Sequence, residues 1–111
     1  MRETHEHDAK PIACILSALT EEEDARRREL LRDLARQVVG ASDLPLGRCY
    51  DLGPVVPAWL AAAELVTLER RCCPFLTFEL QAVSGDSCFS LSVTGPPGTR
   101  EFLHATLFLA S

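Results

Sequence analysis

The sequence predicts an α+β domain, a two-layer sandwich in which a sheet of about four strands carries helices on one face. Two observations indicate this class. The sequence has two helical segments with clear start or stop signals. Near its end it has two segments in which apolar and polar residues alternate, separated by a short turn. The predicted order of elements is β-α-β-α-β-β-α. A length of 111 residues suits one domain. We expect residues 1–10 to be a flexible leader and residues 11–111 to form the domain.

The first strand is predicted over residues 12–16, a short apolar run with β-branched side chains. Because it is apolar throughout, we expect it to be central in the sheet. Thr20 is followed three residues later by Glu23, which is the pattern of a capping box at a helix start. Leucines and a valine then recur at helical spacing, so the sequence predicts a helix over 21–39.

The middle of the chain contains a turn, a strand and a second helix. Residues 41–45 are predicted to form the turn and 46–52 a short strand. Pro57 suits the first turn of a helix, where its missing N–H would have no partner. Good helix formers fill 58–71, and Pro74 ends the helix because the residue before a proline is disfavoured in the helical conformation.

Two segments near the end of the chain alternate apolar and polar residues, which predicts a hairpin with one buried face. These segments are 76–83 and 88–94, with a turn at 84–87. A last helix is predicted over 99–109. The outer face of the hairpin is small and polar, so we expect it to be hydrated or to meet a second subunit.

The net charge of −5 argues against nucleic acid as a partner, because phosphate binding needs a positive surface. The arginine cluster at 26–28 follows an acidic run, and we expect a solvated helix face of i,i+4 pairs: Glu22–Arg26, Glu23–Arg27 and Asp24–Arg28. No segment approaches the roughly 18 consecutive apolar residues of a membrane helix. The polar N-terminus lacks a signal core, so a cytoplasmic location is predicted.

Five cysteines is a high number for this length. In a cytosolic protein thiols are kept reduced, so buried free cysteines or metal ligands are expected rather than disulfides. Cys72 and Cys73 are adjacent at the end of the second helix, and Glu69 lies within one turn of both. At a helix end that unwinds into a proline, the two sulfurs can converge on one ion.

Two thiolates suit soft or borderline ions, so we predict that Cys72, Cys73 and Glu69 bind zinc, copper, mercury or arsenite. The sequence leaves open whether Cys14, Cys49 or Cys88 approaches this pair. The three histidines, His5, His7 and His104, are interpreted as ordinary surface residues or as residues with satisfied hydrogen bonds.

Two other functions stay open. In the first, the cysteines only pack in the core, as this residue type often does, and the chain is a homodimeric interaction module. In the second, the pair is a thiol redox centre, although its position at a helix C-terminus disfavours a low thiol pKa. The sequence contains no phosphate-binding glycine loop, nucleophile elbow or metalloprotease motif, so no catalytic or cofactor-binding residue is predicted and a non-enzymatic protein is favoured.

The segment Glu69-Arg70-Arg71-Cys72-Cys73-Pro74-Phe75, with the later residues 94–99, resembles a family of small uncharacterised bacterial proteins. That family shares a Glu-Arg-x-Cys-Cys-Pro-Phe signature, and the resemblance extends from Ile12 onward. It implies a bacterial, cytosolic origin and no particular activity.

Overall fold

A computed structural model describes residues 14–82, 88–106 and 108–109. Within these ranges the chain forms three α-helices and a four-stranded antiparallel sheet, which confirms the α+β class. The elements are α1 (Glu21–Gln37), β1 (Gly40–Leu44), β2 (Gly47–Gly53), α2 (Val56–Cys72), β3 (Thr77–Ala82), β4 (Phe89–Thr94) and α3 (Thr99–Ala105), with a 3-10 turn (Leu16–Ala18) before α1. No helix in these ranges has the length and apolar character needed to cross a bilayer.

The strand order is β1-β2-β4-β3, so the two central strands are β2 and β4. Successive side chains of a strand point to opposite faces of the sheet. On the face towards the helices, four side chains of the central strands are completely buried: Tyr50, Leu52, Leu91 and Val93. On the opposite face, one row across all four strands follows from the register: Ser42, Cys49, Ser92 and Glu79.

The prediction of a first strand at 12–16 is wrong for its described residues. Cys14 and Ile15 lie outside regular secondary structure, and Leu16 begins the 3-10 turn, while residues 12 and 13 lie outside the described ranges. Cys14 nevertheless packs against the core, whereas the Ile15 side chain is exposed.

The sheet still has four strands, because β1 forms where the sequence predicted a turn at 41–45. Its sequence, Gly-Ala-Ser-Asp-Leu, has no β-branched or aromatic residue and so gives no strand signal. It forms because it pairs as an exposed edge strand with β2, and Asp43 lies opposite Arg48 with an ion pair of 2.8 Å between their side chains. An edge strand tolerates polar residues on both faces.

The other predicted elements agree with the structure to within a few residues, apart from two helix ends. Helix α1 stops at Gln37 rather than at 39, because Val38 is extended and the Val39 N–H donates to the Asp51 carbonyl of β2. The last helix ends at Ala105 rather than at 109. The predicted leader at 1–10 and the hairpin turn at 84–87 lie outside the described residues.

Ion pairs join α1 to α2 along their exposed edge. The guanidinium of Arg26 donates to both carboxylate oxygens of Glu64, each at 2.7 Å, and Arg71 donates to Glu23 at 2.8 Å. The hydrogen bond from Arg71, above all, lowers the pKa of Glu23 to about 2. Of the predicted i,i+4 pairs, Asp24–Arg28 forms. Arg26 and Arg27 pair instead with residues of α2, Glu64 and Glu69 respectively. The expectation of a solvated face of paired charges holds for Arg26 and Arg28, which are exposed, and is wrong for Arg27, which is only 16% exposed.

The start of α1 is fixed by the predicted capping box. The Thr20 hydroxyl accepts from the Glu23 N–H at 3.1 Å, and the Glu23 carboxylate accepts from the Thr20 N–H at 3.0 Å. We expect Thr20→Ala to lower the free energy of unfolding by about 0.5–2 kcal/mol, since an uncapped N–H must find another partner. Urea unfolding followed by circular dichroism measures this change.

Thr67→Ala is the matched control, because Thr67 is exposed in the interior of α2 and its hydroxyl donates only to a carbonyl of the same helix. A surface change of this kind should stay within about 0.5 kcal/mol of the wild type. Equal losses in the two variants would mean that the capping box contributes nothing specific.

Candidate metal centre

The end of α2 brings the two adjacent cysteines together. Pro74 disfavours the helical conformation at the residue before it, and Cys73 has left the helix at φ −123° and ψ 72°. Its N–H still donates to the Glu69 carbonyl at 2.7 Å. In a continuing helix the two side chains would point about 100° apart. Here the sulfur atoms of Cys72 and Cys73 lie 3.8 Å apart, and both residues are buried.

Glu69 completes the predicted set of three residues. It lies one helical turn before the cysteines and is only 1% exposed. The Cys72 thiol donates to its Oε1 atom over 3.5 Å. One ligand atom from each of Glu69, Cys72 and Cys73 falls within 4.8 Å of the others, so the structure places all three predicted site residues in one cluster.

Arg27 of α1 supplies the charge that neutralises this buried carboxylate. Its Nε donates to Glu69 Oε1, and its side chain is 16% exposed. Burial alone would lower the pKa of Arg27, but the hydrogen bond and the charge of Glu69 outweigh burial and raise that pKa. The guanidinium therefore stays charged, and the Arg27–Glu69 pair is neutral as a whole. The sequence analysis missed this role because the partner lies on another helix.

A third cysteine reaches the cluster from the N-terminal segment. Cys14 forms a disulfide with Cys73, across 59 residues of sequence. The expectation that the cysteines are all reduced is therefore wrong for this pair. Backbone and side-chain hydrogen bonds hold the segment in place, because the Ile15 N–H donates to the Cys72 carbonyl and Arg71 donates to the Ala18 carbonyl at 3.1 Å.

The Cys72 thiol is protonated over the whole physiological pH range. Burial raises its pKa to about 11, the negative charge of Glu69 adds to this effect, and the positive charge of Arg27 opposes it. A thiol with such a raised pKa is a poor nucleophile at neutral pH, because the thiolate is the reactive form. It can still become a ligand when an ion displaces its proton.

The other two cysteines lie elsewhere. Cys49 is on the outer face of β2, and Cys88 directly precedes β4. Together with Asp51 and Ser90 they contribute to the lining of a shallow groove of about 420 Å³ at that face. The structure thus answers the question that the sequence left open, since Cys14 joins the Cys72–Cys73 pair and these two do not share its buried cluster.

A second polar cluster lies at the edge strand and was not anticipated. Asp43 accepts hydrogen bonds from Arg48 and pairs with His104 Nε2, both at 2.8 Å. The Asp43 and His104 side chains are both about half exposed. The neighbouring Tyr50 hydroxyl is buried and has no partner among the described residues. His5 and His7 lie outside the described residues.

Comparisons of the chain with protein families, with curated proteins and with solved structures found no match. The resemblance to the bacterial Glu-Arg-x-Cys-Cys-Pro-Phe family stays a prediction.

The buried ion pair has a measurable signature. We expect Arg27→Met to lower the free energy of unfolding by about 3–5 kcal/mol, because it leaves the Glu69 carboxylate buried without its partner. Combining Arg27→Met with Glu69→Met should restore much of that loss, since both charges are then removed. Urea unfolding of the two single variants and the double variant gives the coupling between the residues.

Arg26→Met is the matched control, because the Arg26–Glu64 pair also joins α1 to α2 but is nearly half exposed. An exposed pair contributes about 0–1 kcal/mol. If Arg27→Met were as mild as Arg26→Met, the Arg27–Glu69 pair would not be a structural determinant of the site.

Proposed function

We propose that this chain binds a soft metal or metalloid ion through Cys72, Cys73 and Glu69. The observation that carries the proposal is the 3.8 Å separation of the two sulfur atoms, with the Glu69 carboxylate beside them. Two thiolates bound about 2.3 Å from a tetrahedral ion lie about 3.8 Å apart. The observed spacing, with the Cys73 sulfur bonded to Cys14, therefore equals the spacing that a shared tetrahedral ion needs.

The chemistry of the donor set defines the class of ligand. Thiolates prefer Cu(I) and Zn(II), and the same softness favours Hg(II) and trivalent arsenic. Glu69 lies next to the Cys72 sulfur, and its carboxylate supplies the third ligand atom of the proposed set. Because the Cys73 sulfur is bonded to the Cys14 sulfur in the disulfide, binding requires the reduced protein.

Native mass spectrometry of the reduced protein tests this function. The disulfide is reduced with a phosphine, which unlike a dithiol leaves no competing thiol in solution. One equivalent of Zn(II), Cu(I), Hg(II) or arsenite is then added in separate samples. We expect one-to-one binding of at least one of these ions, and we expect the Cys72→Ser/Cys73→Ser double variant to lose it.

Cys49→Ser is the matched control, since Cys49 lies on the other face of the sheet. This variant should bind as the wild type does. Binding that persists in the double variant, or that is lost in Cys49→Ser, would locate the ion elsewhere. If no ion is retained by the reduced wild type, the proposed metal-binding function is wrong.

A second candidate function is homodimerisation through the outer face of the sheet. Among the described residues, the helices pack on one face, while the opposite face carries small polar side chains such as Ser42, Ser90 and Ser92. Small side chains allow a second sheet to approach to about 10 Å. A homodimer that buries this face would explain why it lacks long charged side chains apart from Glu79 at the edge strand.

Ser92→Arg tests this candidate, because Ser92 lies on a central strand in the middle of the face. If the protein is a dimer through this face, the variant should be a monomer in light scattering coupled to size exclusion. Thr67→Arg, on the exposed side of α2, should leave the dimer intact. A wild type that is monomeric at all concentrations would contradict this candidate.

A further inference from the structure

Cys14 is held beside the cysteine pair by contacts other than its disulfide. The Ile15 N–H donates to the Cys72 carbonyl. Ile15 directly follows Cys14, and Cys72 directly precedes Cys73. Arg71 donates to the Ala18 carbonyl and to Glu23 at the same time. These hydrogen bonds do not involve sulfur, so they survive reduction of the disulfide. The Cys14 sulfur is bonded to the Cys73 sulfur, which lies 3.8 Å from the Cys72 sulfur, so reduction leaves three thiols next to one another at the end of α2.

We infer that Cys14 is the third sulfur ligand of this centre, and that the reduced protein binds a trivalent metalloid, arsenous or antimonous acid, through Cys14, Cys72 and Cys73. This inference rests on the proposed function and narrows its ligand class. Trivalent arsenic and antimony form three bonds to sulfur in a pyramid, which three thiols on one side of an ion can supply. The disulfide in turn is the state in which the centre is closed to them.

Charge balance favours a trivalent element over a divalent cation. The Arg27–Glu69 ion pair contributes no net charge to the centre. Three thiolates on a trivalent element also sum to zero, whereas three thiolates on Zn(II) or Hg(II) leave one negative charge in excess. An uncompensated charge in a buried site is strongly unfavourable. Cys72 and Cys73 are buried, so this penalty applies here.

The chemistry is balanced without any group beyond the reductant. In the cell, two molecules of a low-molecular-weight thiol cleave the Cys14–Cys73 bond and leave as their own disulfide, and both cysteines become thiols. Arsenous acid then exchanges its three hydroxyl groups for three sulfurs. Each thiol proton leaves with one hydroxyl as water, so three As–S bonds form and three water molecules are released with no change of oxidation state.

The arrangement also gives an entry path. Cys14 is only partly buried, while Cys72 and Cys73 are at most 2% exposed. The reductant therefore reaches the Cys14 sulfur first, and the metalloid enters from the same side. Because the disulfide occupies two of the three sulfurs, the centre of the oxidised protein retains only the Cys72 thiol and cannot hold the metalloid.

The mass of the arsenite complex counts the bonds directly. Binding by three sulfurs adds one arsenic atom and removes three protons. Binding by two sulfurs keeps one hydroxyl on arsenic, so that complex is heavier by one water. For phosphine-reduced wild type we expect the three-bond mass. For Cys14→Ser we expect the heavier two-bond mass.

The affinity should change in parallel. We expect Cys14→Ser to weaken arsenite binding more than about 100-fold, because even loss of an outer-shell partner costs about 10–100-fold. Hg(II), which two thiolates neutralise, should lose less than tenfold. Oxidised wild type should bind no arsenite, whereas Cys49→Ser in reduced form should match the wild type. The three-bond mass of the reduced wild type needs no substitution, so that measurement stands even if Cys14→Ser folds poorly.

The outcomes separate the two proposals. If reduced wild type binds no thiophilic ion at all, the proposed function fails and this inference fails with it. If it binds Hg(II) or Zn(II) through Cys72 and Cys73 but takes arsenite with the two-bond mass, only this inference is overturned. Equal arsenite affinity in Cys14→Ser and wild type would overturn it as well.

Discussion

The buried ion pair between Arg27 and Glu69 is the interaction on which the candidate site depends. A carboxylate at 1% exposure is tolerable only beside a cation, and Arg27 reaches it from the other long helix. The pair thereby fixes α1 against α2 and aims Glu69 Oε1 at the Cys72 thiol. The site is thus built into the contact between two helices rather than into a loop.

The parts of this site that lie within one helical turn were predictable from the sequence. Glu69, Cys72 and Cys73 are neighbours on any helix that ends at Pro74, so their proximity follows from local rules. The same holds for the capping box of α1, which Thr20 and Glu23 form as their spacing indicates. These features need only the period of the helix and the restrictions that proline imposes.

The parts that the sequence analysis missed depend on distant residues. Arg27 and Glu69 are 42 positions apart, and Cys14 and Cys73 are 59 apart. An arginine beside an acidic run gives the pattern of a solvated face, and nothing local shows that it turns inward. Strand β1 was missed for a similar reason, since its polar residues become a strand only because β2 offers a free edge. Tertiary pairing overrides local propensity in each case.

The placement of Cys72 disfavours a redox role for this thiol. A redox cysteine gains from a helix N-terminus, whose partial positive charge stabilises the thiolate. Cys72 instead ends a helix, lies beside a carboxylate and is buried, and all three conditions favour the neutral thiol. Attack by Cys72 on the Cys73 sulfur would also create a disulfide between adjacent residues, which requires a distorted backbone. Under the proposed function, the Cys14–Cys73 bond is the state in which the centre cannot bind an ion.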